Sequence, residues 1–111
     1  MATSEDLKTQ LSKWVKKFDD PSIAVEFEGF NKTMQFTFPD INYHLKLIIA
    51  NKTARLEEGI DNTAAMGLEA NSDLFLGILK EEIDPMEAFI EGELKVKGDL
   101  NALQKLEFLM S

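Results

Sequence analysis

Cysteine is absent from this chain of 111 residues, and histidine, tryptophan and tyrosine occur once each. Without cysteine there is no disulfide, no thiolate metal ligand and no cysteine nucleophile. The single histidine, His44, has no second metal ligand or nucleophile spaced around it, and the sequence contains no serine elbow or phosphate-binding glycine loop. We therefore expect neither an enzyme nor a protein that holds a metal or another cofactor.

Basic residues are scarce as well, since 12 lysines and arginines stand against 20 acidic residues and give a net charge of −8. Such a chain repels phosphate backbones, so nucleic acid is not an expected partner. No apolar run approaches the roughly 18 residues of a membrane span. The start MATSEDLK also lacks the basic-then-apolar order of a signal peptide. These features predict a soluble, cytoplasmic protein that forms one domain over residues 1–111.

The charge is uneven along the chain. Residues 1–56 contain eight basic and seven acidic residues, a net +1, whereas residues 57–111 contain four and thirteen, a net −9. Docking to an anionic membrane would therefore have to use the N-terminal part. The acidic clusters at 57–58, 81–84 and 91–93 are interpreted as solvated caps and turns rather than paired general acids.

Large, deformable side chains are plentiful, with eight phenylalanines and five methionines. Two helices are predicted at the N-terminus, the first from a start at 3–6 to Lys17. The second covers 21–28, with Asp20 as cap, Pro21 in the first turn and Gly29 as stop. A strand remains the alternative for the second segment, because Ile23, Val25 and Phe27 alternate.

Period-two patterns follow in four consecutive segments, which predict strands at 32–38, 43–49, 53–58 and 63–70. Their order predicts an antiparallel meander, and its single apolar face needs helices or a second sheet to cover it. In this arrangement His44 points away from the apolar face.

The last third is divided by glycine and proline. Ser72 is the predicted cap of a helix whose run 74–79 is apolar all round, and Asp84-Pro85 starts a helix over 86–90. Gly92 then leads into a strand at 93–97, and Gly98-Asp99 into a last helix over 100–110. Phe108 lies outside the apolar arc of that helix, either as a singly exposed aromatic or as a membrane or partner contact.

Three blocks of this region, SDLFLGIL (72–79), DPMEAF (84–89) and EGELKVKGDL (91–100), are followed by a leucine-rich helix. In order and spacing, residues 63–110 resemble the C-terminal half of the sterol carrier protein-2 domain. The resemblance implies an α+β fold with a twisted, mainly antiparallel five-stranded sheet covered by about five helices. Members of that family are non-enzymatic and hold fatty acid, fatty acyl-CoA, sterol or phospholipid in a hydrophobic tunnel between sheet and helices.

The resemblance also implies which side chains face the tunnel: Leu74, Phe75, Ile78, Leu79, Met86, Phe89, Leu103, Leu106 and Met110. The expected partner is thus a lipid or fatty acyl ligand, and no cofactor is expected. We further expect the last helix to act as a lid, with transient membrane contact through Phe108 and Lys105. The alternative is a protein-interaction or regulatory module that keeps the fold but fills the tunnel with side chains. The ligand and the oligomeric state are left open.

Overall fold

The computed structural model describes residues 2–98 and 100–110. In the last helix it describes only the side chains of residues 101, 104–106, 108 and 109. Within these residues the chain forms five α-helices and a five-stranded sheet, the predicted α+β architecture. The helices are α1 (Ser4–Lys17), α2 (Pro21–Ala24), α3 (Ser72–Leu79), α4 (Pro85–Ile90) and α5 (Leu100–Met110). The strands are β1 (Lys32–Phe38), β2 (Tyr43–Ala50), β3 (Thr53–Glu58), β4 (Met66–Glu69) and β5 (Lys95–Gly98).

Helix α1 begins and ends where the sequence predicts. Thr3 and Asp6 form a reciprocal capping box: the Thr3 hydroxyl accepts from the Asp6 amide at 3.1 Å, and the Thr3 amide donates to the Asp6 carboxylate at 3.0 Å. The pKa of Asp6 is lowered by these hydrogen bonds. One face of the helix is apolar, and Leu7, Leu11 and Trp14 are buried on it.

Residues 21–27 are helical, so the helix prediction is confirmed over the strand alternative. The Asp20 carboxylate accepts from the Ser22 amide at 2.9 Å, and α2 continues as a 3-10 turn at Val25–Phe27. A strand would have placed Val25 and Phe27 on one face, yet Val25 is 53% exposed and Phe27 is fully buried. Gly29 follows with φ of +77°, the left-handed stop expected there.

The sheet has the order β3-β2-β1-β4-β5, and the predicted four-stranded meander is wrong at its last step. Strands β1, β2 and β3 are antiparallel neighbours, but β4 crosses back to pair with β1 in parallel. β4 is also shorter than the predicted 63–70. An alternating pattern states which face a residue takes but not which strand lies beside it, so the pattern could not distinguish these pairings.

Two smaller corrections concern the C-terminal third. The cap of α3 is Asn71, whose side chain accepts from the Asp73 amide at 2.9 Å, and not Ser72, whose hydroxyl donates to Asp40 at 2.5 Å. β5 begins at Lys95 rather than residue 93, because the amides of residues 93 and 94 still bond the Ala88 carbonyl at the end of α4.

A single face of the sheet carries the core. The Phe36 ring of β1 lies 6.2 Å from Trp14 of α1 and 5.5 Å from Phe75 of α3, measured between ring centroids. α5 contacts β4 and the 3-10 turn after α2. The opposite face is largely polar and is here called the open face. In the described part of the chain, no helix is long and apolar enough to cross a membrane.

Candidate functional site

The candidate site is the layer between the apolar face of the sheet and helices α3 and α5. On α3, Phe75 and Ile78 are each 2% exposed, and the Phe75 ring lies 5.3 Å from the Phe38 ring. Leu74 and Leu79 are half-buried against the same core. No residue from 74 to 79 is exposed, so the all-round apolar helix predicted from the sequence is confirmed.

Polar contacts hold the N-terminus of α3 in place. The Asp40 carboxylate, in the turn between β1 and β2, accepts from both the amide and the hydroxyl of Ser72, at 2.9 and 2.5 Å. The Ala2 amide donates to Asp73 in the first turn. The hydrogen bond from the Ser72 hydroxyl lowers the pKa of Asp40, since it favours the ionised carboxylate. α3 is thereby tied to the sheet before its apolar run begins.

The C-terminal end of α3 is closely covered by the segment that follows it. A Cβ at Gly77 would lie 2.5 Å from Ile83 Cδ1, so a larger residue there would push Ile83 away. The amides of residues 82 and 83 donate to the Gly77 carbonyl at 2.9 and 3.2 Å. α3 is therefore held at both ends by contacts with other parts of the chain.

Helix α4 places its two predicted site residues differently. Phe89 is half-buried and packs against the core, beside the buried Ala88. Met86 is 42% exposed. The tunnel-facing role of both residues stays a prediction.

Helix α5 is anchored by Leu106 and Leu109, which are 3% and 0% exposed. Two lysines also attach α5 to the rest of the protein by donating to main-chain carbonyls. Lys17 of α1 donates to the Leu109 carbonyl of α5, and Lys105 of α5 donates to the Glu26 carbonyl at 2.5 Å. Sequence reasoning missed both contacts, because lysine at these positions looks like ordinary solvated surface. The predicted site residues Leu103 and Met110 lie outside the described side chains.

Phe108 is on the outer side of α5, as predicted, and is 37% exposed. The Lys105 ammonium lies 5.6 Å from the centroid of the Phe108 ring and 5.9 Å from that of Phe27. Lys105 is therefore enclosed between two aromatic rings and a carbonyl, rather than extended into solvent as the sequence suggested.

The open face carries a cavity of about 470 Å³ that the sequence did not predict. It lies between the β3–β4 loop and β5, and Lys95, Lys97, Asp61 and Glu69 contribute its charges. Glu69 and Lys95 form an ion pair at 3.6 Å, while Asp61 accepts from the Thr63 amide and hydroxyl. Its two basic and two acidic groups balance, so the cavity has no strong preference for a charged ligand.

His44 lies on the open face, paired across the strands with Thr37. Among the described residues its Nδ1 atom is buried without a hydrogen-bond partner, and these residues contain no group of three or more His, Asp or Glu that could hold a metal ion. Burial and a 2.7 Å hydrogen bond to Glu58 raise the pKa of Tyr43 above its ordinary value.

Comparison with known proteins identifies the architecture. The sequence model of the SCP-2 sterol transfer family matches residues 8–111. No curated protein matches the chain. Among solved structures, the ubiquinone synthesis protein UbiJ-SCP2 is similar with a TM-score of 0.75 and 14% identity, over 95% of this chain and 91% of that one.

Two further structures share the fold. The palmitated SCP2L2 of Aedes aegypti has a TM-score of 0.68 and 14% identity, over 94% of each chain. The stereoselective inverting sec-alkylsulfatase of Pseudomonas sp. has a TM-score of 0.66 and 21% identity over 78% of this chain, but the match spans only 13% of the sulfatase. At these identities the likeness establishes the fold alone.

Proposed function

Because the chain belongs to the SCP-2 sterol transfer family, we propose that it is a non-enzymatic lipid carrier. The proposed ligand is a fatty acid, fatty acyl-CoA, sterol or phospholipid, held in a hydrophobic tunnel between the sheet and the helices. The palmitated state of the mosquito relative supports an acyl chain among these ligands. A cytoplasmic setting is part of the proposal and is tested by cell fractionation.

The observation that carries the proposal is the apolar helix α3 facing a sheet lined with phenylalanines. Phe36, Phe38 and Phe75 bring three rings together at this point, with centroids 5.3 to 5.5 Å from Phe75. Each methylene of a ligand buried there would gain about 0.8 kcal/mol. About a dozen would therefore gain on the order of 10 kcal/mol before ordering costs, which is ample for a carrier.

We propose that the residues implied by the family resemblance line this tunnel. They are Leu74, Phe75, Ile78, Leu79, Met86, Phe89, Leu103, Leu106 and Met110. The burial of Phe75, Ile78 and Leu106 supports this assignment, because a side chain that lines an internal tunnel is shielded from bulk water.

We propose α5 as the lid of the tunnel. Its attachments outside the apolar layer include two lysine-to-carbonyl hydrogen bonds, from Lys17 and Lys105, which can break without unfolding the sheet. When Lys105 releases the Glu26 carbonyl, its ammonium and the neighbouring Phe108 ring can together meet a membrane surface. Lys105→Met should therefore raise the rate of lipid release.

Phe75→Asp tests the tunnel. We expect this variant to lose lipid binding, measured by extraction and mass spectrometry of the purified protein and by titration with a panel of the four lipid classes. Thr37→Asp, which places the same charge on the open face, should retain it. A folded Phe75→Asp protein with unchanged affinity for every lipid would remove α3 from the site.

Phe108→Ser tests membrane contact. It should slow transfer between vesicles and leave equilibrium affinity nearly unchanged, because Phe108 is on the outer side of the lid. Transfer at the parent rate would make the exposed ring incidental.

Removal of residues 103–111 should abolish stable lipid retention, whereas a chelator or His44→Ala should not affect it.

One observation favours the alternative, an interaction or regulatory module with a filled tunnel. The Phe36 and Phe38 rings already pack against the Phe75 ring, as side chains do in a closed core. The two functions differ in the purified protein: a carrier contains stoichiometric lipid or binds it on titration. A stable protein that does neither would support the module.

A further inference from the structure

The outer face of α4 presents two apolar side chains to solvent. Met86 and Ile90 are four residues apart and so lie on the same side of the helix. They are 42% and 78% exposed, and Ile90 is the most exposed large apolar side chain among the described residues. We call this pair, with the carboxylates around it, the α4 patch.

The rim of the α4 patch is acidic. Residues 81–93 contain six acidic residues and no lysine or arginine. Glu82, Glu87, Glu91 and Glu93 are all exposed, and none of them forms an ion pair within the described part of the chain. The apolar pair thus stands beside a local excess of negative charge.

The spacing of Glu87 and Glu91, and the position of Glu91, work against the stability of α4. Glu87 and Glu91 are like charges at an i, i+4 spacing, which is destabilising on a helix. Glu91 also lies at the C-terminal end of α4, where the helix dipole disfavours a negative charge, whereas Glu87 in the first turn is favoured by it. An exposed isoleucine adds to this cost. The patch is therefore poorly explained as a stabilising surface.

The α4 patch is held in a fixed orientation. Asp84 caps the helix through the Met86 amide at 2.9 Å, and Ala88, on the opposite side, is buried. The amides of residues 93 and 94 bond the Ala88 carbonyl and close the C-terminal end. A preformed surface of this kind loses little entropy when a partner binds.

From this geometry we propose that the α4 patch is a docking surface for a basic amphipathic protein segment, with its apolar side on Ile90 and Met86 and its lysines or arginines against the glutamates. Charge complementarity selects this occupant. An anionic lipid surface would be repelled by the same four carboxylates, and an uncharged apolar partner would leave them unpaired. This role goes beyond lipid carriage and does not depend on it.

The test uses a labelled peptide of leucine and lysine with an amphipathic pattern, about 18 residues long so that a helix can form. A second peptide with glutamate in place of lysine is the control. Fluorescence anisotropy with the full chain should show binding of the basic peptide only, weakened by added salt. Ile90→Ser should raise its Kd at least tenfold, because the apolar anchor is lost.

Matched variants separate the patch from the overall negative charge. Ile60→Ser removes an isoleucine of similar exposure, 59%, from the β3–β4 loop and should leave the Kd within twofold. Glu87→Gln with Glu91→Gln should raise the Kd about tenfold, whereas Glu28→Gln, at an exposed site outside the patch, should not. Absence of binding, or equal effects of Ile90→Ser and Ile60→Ser, would overturn the proposal.

Two other occupants give different outcomes. Binding to phosphatidylglycerol vesicles that Ile90→Ser abolishes would make the α4 patch a membrane contact and overturn the assignment. Self-association in sedimentation velocity, lost in Ile90→Ser, would instead identify a second copy of the chain. Because Ile90 is exposed, the variant should keep the melting temperature of the parent, and this measurement confirms that each comparison uses folded protein.

Discussion

The two faces of one sheet differ in what closes them. On β1, Met34, Phe36 and Phe38 point into the core and are at most 1% exposed. Their neighbours Thr33 and Thr37 point to the open face and are only half-buried. Helices cover the first face, whereas solvent and the β3–β4 loop meet the second. The difference shows that side-chain chemistry, alternating along each strand, decides which face the helices cover.

One polar residue on the open face, Gln35, is buried rather than half-buried or exposed. Gln35 is polar yet only 8% exposed. Its side-chain amide donates to the Leu45 and Gly59 carbonyls at 3.2 and 3.0 Å, and its carbonyl accepts from the Asp61 amide at 2.6 Å. Gln35 thus attaches the β3–β4 loop to the sheet, and this loop forms one wall of the cavity on that face.

The largest expected effect contrasts adjacent residues on opposite faces. Phe36→Ala removes a fully buried ring between Trp14 and Phe75 and should lower the free energy of unfolding by about 3–5 kcal/mol. Thr37→Ala, on the open face, should change it by less than about 0.5 kcal/mol. Urea denaturation measures both values. Similar losses for the two variants would contradict the assignment of faces.

Gln35→Leu should have the next largest effect. The substitution leaves the Gly59 carbonyl and the Asp61 amide without their partner, which should cost about 1–3 kcal/mol. Amide hydrogen exchange should speed up in residues 59–64 and remain slow in β1 and β2. Thr33→Leu, on the same strand and face, serves as the control. Unchanged exchange in the loop of Gln35→Leu would show that Gln35 does not hold it.

A smaller effect depends on pH and concerns Asp40, which accepts hydrogen bonds from Ser72 at the start of α3. The folded pKa of Asp40 is depressed below its ordinary value of 3.8, chiefly by the hydrogen bond from the Ser72 hydroxyl. A depressed pKa contributes stability above the unfolded pKa, and this contribution is lost as pH falls through 3.8 and below. Asp40→Asn should therefore reduce stability at pH 7 but make little difference near pH 2. Equal losses at both pH values would contradict the linkage.

The smallest expected effect concerns an ion pair on the open face. Lys95 and Glu69 are 3.6 Å apart, with side chains 71% and 44% exposed, so solvent screens their attraction. Lys95→Ala should change the free energy of unfolding by less than about 0.5 kcal/mol, and the double variant with Glu69→Ala should differ little from the sum of the single ones. A coupling energy above about 1 kcal/mol would show that the open face is more enclosed than the sheet geometry indicates.

Much of the local structure followed from the sequence because its causes are local. Thr3 with Asp6, Asp20 with Pro21, and Asp84 with Pro85 each place a cap and a helix start within a few residues, and all three helices begin there. The resemblance to the sterol carrier family was likewise confirmed by the match over residues 8–111. Element boundaries were less certain where a distant group competed, as at Ser72 and its partner Asp40.

The sequence by itself thus determined the starts of α1, α2 and α4, the two faces of each strand and the family, since these depend on residue type and spacing. Tertiary structure decided the parallel pairing of β4 with β1, the attachment of the β3–β4 loop by Gln35, the lysine contacts of α5 and the exposure of Ile90. Each of these joins residues far apart in the chain or depends on what its neighbours cover. Alternation and capping carry no information about such distant partners, because many pairings satisfy the same local pattern.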